Sequence, residues 1–268
     1  MKKLLLVICV LVVTLIVSGC GSEEAGALNK DKLIVGVTGG PHEQIIEKVA
    51  EVALKDGLEI EIKVFSDFAM PNVALAEGEL DLNSFQHTPF FEEFKEDRGL
   101  DLVSVGKTII NPMSIYSDKI TNIDEIEEGA KIGLPNDPTN GSRAMLIFED
   151  AGLITLKEDL DEEPTVRDIA ENKLNLEFIE LDAAQLPKQL SELTAAAINT
   201  SYAISHGFVP SEDAIFMESS DSPYANLIAA RPENKDEEVV AKFVNAYQSD
   251  EVKEFIETEF KGSIIPTW

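Results

Sequence analysis

The sequence predicts an α/β protein of two lobes with a cleft between them, and three observations carry the prediction. The chain opens as strand, helix, strand. A break at Asn111-Pro112 starts a second series of strands and helices, and a late apolar strand with an amphipathic C-terminal stretch returns after it. A composition of 44% hydrophobic and 27% charged residues in 268 positions is that of a globular chain.

In the first series, residues 33–37 form an unbroken apolar run of the buried-strand kind, followed by a Thr-Gly-Gly-Pro turn. Ile45, Ile46, Val49 and Val52 share one face of a helix that Gly57 stops. Residues 58–65 alternate apolar and charged side chains as a strand does. Residues 66–72 lead to a short helix ending near Gly78, residues 80–85 read as another strand, and Gln86-His87-Thr88-Pro89 opens the next helix. Residues 100–110 are strand-like up to the break.

The second series runs through strands near 113–117, 131–134 and 176–181, a helix over 141–152 capped by Thr139 or Asn140, a helix near 184–193, and an apolar segment at 195–202. Residues 157–172 are a polar, acidic insertion expected to form an exposed loop and helix. Residues 226–230 are the returning strand. Val239, Val240, Phe243, Val244, Tyr247, Val252, Phe255 and Ile256 then recur at helical spacing.

Arg143 stands out because this reading places it in the first turn of a helix, where a cation opposes the helix dipole. An anion held between its planar guanidinium and the free N–H groups of the helix start would reconcile the two, and a carboxylate matches that fork. On this reading the folded protein gains little from Arg143 without a ligand. A solvated Arg, or one paired with an acidic side chain, fits the local pattern as well.

At the other end of the chain, Met1-Lys2-Lys3 precedes an apolar run to Val17 and then Ser18-Gly19-Cys20. This is the layout of a secretory signal, too short for a spanning helix. Val17-Ser-Gly-Cys20 resembles the lipobox of bacterial lipoproteins, in which the Cys becomes the lipidated first residue. The expected division is a signal at 1–19, a tether at 20–30, one lobe from 31–110 with 223–268, and a second lobe from 111–222. Cys9 and Cys20 are the two cysteines, so the exported domain has no disulfide to rely on.

A formal charge of −28 repels nucleic acid and anionic lipid headgroups, and any anion site must be built locally. His42, His87 and His206 lack metal-ligand spacing, and no nucleophile elbow, Ser-x-x-Lys pair or phosphate loop occurs, so neither a metal, a cofactor nor an enzyme activity is expected. What remains is a set of aromatic, amide and guanidinium groups at element ends. Phe68, Phe85, His87 and Phe90 can wall an apolar slot, and Arg143, Asn199 and Asn226 can fix the polar end of a small ligand. By spacing alone each Phe is more often a core residue than a pocket residue, and His87 more often a satisfied turn residue.

Four motifs, Phe85-Gln-His-Thr-Pro-Phe90, Leu134-Pro-Asn-Asp-Pro-Thr-Asn-Gly-Ser-Arg143, Ile198-Asn-Thr-Ser-Tyr-Ala203 and Ser222-Pro-Tyr-Ala-Asn226, resemble those of the methionine-binding lipoproteins of bacterial ABC importers. The likeness spans residues 32–268. It implies a two-lobed periplasmic-binding-protein fold, type II-like, that captures L-methionine and delivers it to a membrane permease and ATPase. It also implies a palmitate-type lipid anchor at Cys20 on the extracytoplasmic face of the cell membrane. In this resemblance Arg143 grips the ligand carboxylate, Asn199 and Asn226 bond its backbone, and Phe68, Phe85, His87 and Phe90 line the side-chain pocket. Phe68 and Phe90 stand where the family often has Tyr. The loss of two hydroxyls keeps a methionine derivative or a short Met-containing peptide open as alternatives, beside an extracytoplasmic enzyme that uses the same cleft.

Overall fold

A computed structural model describes residues 28–160, 162–219 and 222–268. The expected signal segment, Cys20 and the tether up to residue 27 lie outside the described residues. The chain runs β1 (Lys32–Thr38), α1 (Pro41–Lys55), β2 (Glu59–Phe65), α2 (Met70–Ala76), β3 (Leu82–His87), α3 (Thr88–Arg98) and β4 (Val103–Ile110) before crossing over. It continues as β5 (Ser114–Tyr116), β6 (Lys131–Pro135), α4 (Pro138–Asp150), β7 (Thr155–Leu156), β8 (Ile169–Glu171), β9 (Glu177–Leu181), α5 (Leu186–Gln189), β10 (Ala195–Ile198), α6 (Thr200–Ser205), α7 (Pro210–Asp213) and β11 (Phe216–Met217). It returns through β12 (Ala225–Ala230), α8 (Glu238–Tyr247), α9 (Asp250–Glu259) and β13 (Ile265–Pro266).

Two mixed sheets follow from this order. The larger is β13-β4-β12-β3-β1-β2 and the smaller β11-β5-β10-β6-β9, so the two ends of the described chain share one sheet and the middle builds the other. Each sheet is covered on both faces, and the period of two shows it. On β12, Ile228 and Ala230 join the core under α1 and α8, while Leu227 and Ala229 face the cluster of Leu75, Leu80 and Phe91. On β10, Ala195 and Ala197 pack with Ile132 and Phe148, and Ala196 and Ile198 with Leu186 and Leu190. Both faces of this strand are dry, which is why it reads as a continuous apolar run.

Several boundaries differ from the sequence reading. The helix of the second series starts at Pro138, with Asp137 as its N-cap accepting from the Asn140 N–H at 3.0 Å, so neither Thr139 nor Asn140 caps it. Pro138 is at the first helical position, where its missing N–H costs nothing. Arg143 therefore lies in the second turn and does not oppose the dipole as expected. The acidic insertion is not loop and helix alone, because Ile169–Glu171 pairs antiparallel with Thr155–Leu156. The apolar segment at 195–202 breaks at Asn199, where strand gives way to α6.

The parallel strands β1 and β3 of the larger sheet and β6 and β10 of the smaller end at a common crevice. The carboxyl ends of strands are where α/β sheets place ligands, because loops and helix starts supply polar groups there.

Candidate binding site

The crevice holds a small cavity lined by His42, Phe68, Phe85, Gln86, His87, Phe90, Asn111, Asn140, Arg143, Asn199, Thr200, Ser201 and Asn226. All seven residues singled out as ligand contacts border it. Phe85 and His87 come from β3, Phe90 from α3 and Phe68 from the turn before α2. Asn226 is the second residue of β12, Arg143 is on α4, and Asn199 lies between β10 and α6.

The aromatic side is a cluster of rings. Phe68 lies 6.0 Å from both Phe85 and Phe90 and 4.6 Å from Tyr202, and Phe85 is 6.4 Å from Phe90. Beneath it, Asn72, Asn83 and Gln86 are buried and bonded to one another, including reciprocal Asn72–Gln86 bonds of 2.7 Å. A closed amide network of this kind holds β3 and α2 in register without leaving a polar group unpaired.

The polar side centres on Asn140, which spacing alone offered only as a helix cap. The Phe90 N–H donates to His87 Nδ1 at 3.1 Å, which puts the imidazole proton on Nε2. His87 Nε2–H then donates to Asn140 Oδ1 at 3.1 Å, and Asn199 Nδ2 donates to the same oxygen at 2.7 Å. Asn140 Nδ2 donates to Asp137 Oδ1 at 2.9 Å, which fixes the amide orientation. This arrangement joins the two sheets through side chains. It leaves Asn199 Oδ1 buried with no partner among the described residues.

Arg143 is 2% exposed and takes up the pairing with an acidic side chain that the sequence left open beside the ligand reading. Its Nε donates to Glu218 Oε1 at 3.1 Å, its Nη2 donates to Glu218 Oε2 and, at 2.9 Å, to the carbonyl of Asn111, and its Cζ sits 4.2 Å over the ring of Tyr224. Glu218 also accepts from the Met113 N–H at 3.1 Å. The Nη1 end is left with no protein partner among the described residues. Glu218 was missed because it lies 75 residues from Arg143 and in no motif. Asn111, Asn140, Gln86, Thr200 and Ser201 had a usable signal, since they stand inside or beside the quoted motifs and the Asn-Pro break.

Two histidines at the site are buried and neutral. Burial pushes His42 down to about 4, and burial together with the Arg143 charge pushes His87 down to about 3. A base depressed in the folded state lets the unfolded chain take up protons first, so stability present above the unfolded value of about 6.5 is lost as pH falls toward the folded value. Each histidine should cost roughly 2 kcal/mol at pH 5. Burial raises Glu93, Asp137 and Glu163, which offsets part of this. Melting temperatures at pH 7.5 and 5.0 should therefore fall less far apart in His42→Gln than in the unmutated protein; an equal fall shows that His42 does not set the slope.

Gly40 marks a close approach across the crevice. Its φ is +84°, and a Cβ there would lie 2.4 Å from Ser205 Oγ and 3.1 Å from the Ser201 carbonyl, both on α6. Gly40→Ala should destabilise by about 1–3 kcal/mol from backbone strain. It should also hold the β1–α1 turn away from α6, which would appear as at least a tenfold loss of ligand affinity in calorimetry, and unchanged affinity would show that this close approach does not shape the cavity.

A cavity set between two α/β sheets, with rings at one end and a guanidinium and amides at the other, defines a two-lobed solute-binding protein. Comparison with known proteins places the chain more narrowly. It belongs to the NlpA lipoprotein family, whose model matches residues 33–268. The D-methionine-binding lipoprotein MetQ of Salmonella typhi is 44% identical over 261 residues, covering 96% of this chain and 95% of the relative. A nutrient-binding protein from Burkholderia cenocepacia, solved bound to methionine, superposes with a TM-score of 0.86 at 46% identity and covers 88% of this chain and 100% of its own. A periplasmic substrate-binding protein of an ABC transporter from Coxiella burnetii gives a TM-score of 0.84 at 43% identity, with 88% of this chain and 100% of that one covered.

Proposed function

We propose that the protein captures methionine in this cavity and hands it to an ABC importer, as a lipoprotein anchored through Cys20 on the extracytoplasmic face of the membrane. The observation that carries the reading is the pairing of a half-committed guanidinium with an aromatic slot. Arg143 Nη1 is available to a carboxylate, Asn199 Oδ1 is available to an ammonium, and Phe68, Phe85 and Phe90 offer ring edges to a thioether at about 0.3–1.5 kcal/mol per contact. The L enantiomer follows from the motif resemblance, while the MetQ relatives carry the D form in their names. Binding without turnover is part of this reading, and the lining hydroxyl of Thr200 is committed to the Pro112 carbonyl and not to either histidine.

A second reading has its own observation. A second, larger recess shares Phe68 and Phe90 with the cavity, and its wall includes Asp67, Glu93, Asp97, Asp137 and Asp182. A methionine derivative or Met-containing peptide has room to extend there. Thermal-shift and calorimetric titration with L-methionine, D-methionine, methioninol and Met-containing dipeptides separates the readings. Methionine should raise the melting temperature, by roughly 2.7 kcal/mol of stabilisation at 100 times its dissociation constant, and methioninol should bind poorly. Tighter binding of a dipeptide than of either methionine enantiomer selects the second reading. Mass spectrometry of Cys20→Ala beside the unmutated protein tests the anchor, because one acyl chain holds a protein only marginally and two hold it stably; an unlipidated wild type rules the anchor out.

A further inference from the structure

We propose that Asn111 is a ligand-binding residue whose side-chain oxygen accepts a hydrogen bond from the ammonium of the bound amino acid, and that His42 is the positioning residue that turns the Asn111 amide that way. Asn111 is 8% exposed, borders the cavity, and lies where the chain leaves the larger sheet for the smaller. Its Nδ2 lies 3.2 Å from His42 Nε2, while its Oδ1 is buried with no partner among the described residues. A buried, unmatched carbonyl oxygen is costly unless a donor comes to it. Among the described residues Arg143 does not supply that donor, since its bond to this residue, from Nη2, goes to the main-chain carbonyl and leaves Oδ1 unpartnered.

Asn111 therefore touches both halves of an α-amino acid headgroup. Its backbone carbonyl holds the guanidinium that faces the carboxylate, and its side chain offers an acceptor beside it. Asn199 Oδ1 is the second buried acceptor with no partner, and its orientation is fixed independently by the Asn140 hydrogen bond. Two carbonyl oxygens left open in one cavity match an ammonium, which brings three donors and no acceptor. His42, on the first turn of α1, is 1% exposed. When Asn111 Nδ2 donates to it, its Nε2 is the acceptor and the imidazole proton sits on Nδ1, away from the amide.

The inference rests on the reading of the ligand as a methionine-type amino acid, and the experiment keeps the two apart by using methionine together with 4-(methylthio)butanoate, which has the carboxylate and thioether but no amino group. Calorimetric titration of Asn111→Ala should show methionine binding weakened roughly ten- to a hundredfold, with binding of the desamino acid little changed. Asn111→Asp keeps an oxygen in place and lets His42 move its proton to Nε2, so it should recover most of that loss. His42→Leu should weaken methionine several-fold, and His42→Gln, which presents an acceptor at the same reach, should restore it. Equal loss of both ligands in Asn111→Ala makes the residue merely structural and overturns the proposal. Failure of Asn111→Asp to recover binding shows that the amide N–H, not the oxygen, meets the ligand, which overturns it also. An unmutated protein that binds the desamino acid but gains nothing from the amino group removes the ammonium site while the methionine reading survives. One that binds neither compound removes both.

Discussion

Arg143→Ala should both abolish methionine binding and lower the melting temperature. The binding loss follows from the buried charge pair that the ligand carboxylate forms, whose rupture typically costs about 2–5 kcal/mol, or some thirtyfold to several thousandfold in affinity. The stability loss is the part that the position of Arg143 in the chain hid. Glu218, 10% exposed at its side chain, receives two hydrogen bonds from the guanidinium and, among the described residues, keeps the Met113 N–H and a 3.3 Å bond from Ser222 Oγ when it goes. An uncompensated buried carboxylate costs about 3 kcal/mol or more, which for a chain of this size lowers Tm by roughly 6–12 °C. Adding Glu218→Gln to Arg143→Ala should recover most of the melting temperature and none of the binding. If Arg143→Ala melts with the unmutated protein, the pair carries no stability and Arg143 serves the ligand alone.

Asn140→Ala should be the next most damaging change, although the residue carries no charge. It strips the acceptor from His87 Nε2–H and from Asn199 Nδ2 together, on elements that belong to different sheets. Each buried donor left unmatched costs about 1–3 kcal/mol, so roughly 2–6 kcal/mol of stability is at stake. Affinity should fall at least tenfold, because His87 and Asn199 both border the cavity and neither ring nor amide is then held. Asn140→Asp is the informative control. It keeps an acceptor but sets a second carboxylate against Asp137, now bonded to Asn140 Nδ2 at 2.9 Å, and should not rescue at neutral pH. Full rescue by Asn140→Asp would mean that only the acceptor matters and the Asp137 contact is dispensable.

These two cases also mark where the sequence stopped being readable. Periodicity located β1, β3, β10, β12 and the C-terminal helices because each buries a face against its own neighbours, and burial writes itself into spacing. The cavity residues were found from motif resemblance and side-chain chemistry, and the seven converge on one cavity. Pairings between side chains distant in the chain leave no local pattern. Nothing within a turn of Arg143 points to Glu218, and nothing near Asn140 distinguishes a hub of two buried donors from an ordinary capping side chain. The misplaced start of α4 has the same root, since Asp137, Thr139 and Asn140 are all competent caps and only the Asp137 to Asn140 N–H bond decides among them. In the acidic insertion, the short pairing of β7 with β8 is set by contact with a strand from outside it, which composition does not reveal.

The order of strands in the larger sheet also sets the order in which the molecule can be assembled. β12 stands between β4 and β3, and the Thr88 hydroxyl reaches the Ala225 carbonyl 137 residues away. Among the described residues β4 has β12 and β13 as its neighbours in that sheet, so until those strands arrive it lacks them and β3 keeps an open edge. The smaller sheet draws all its strands from one contiguous run between Ser114 and Met217 and needs nothing from either end. Loop-closure entropy weighs somewhat more on the larger sheet, whose β12 and β13 pairings span more of the chain than those of β5 with β10 and β11, and a chain emerging from its N-terminus completes its middle before its beginning. Over that interval the bare edges of β3 and β4 are the part of the chain most open to pairing with another molecule.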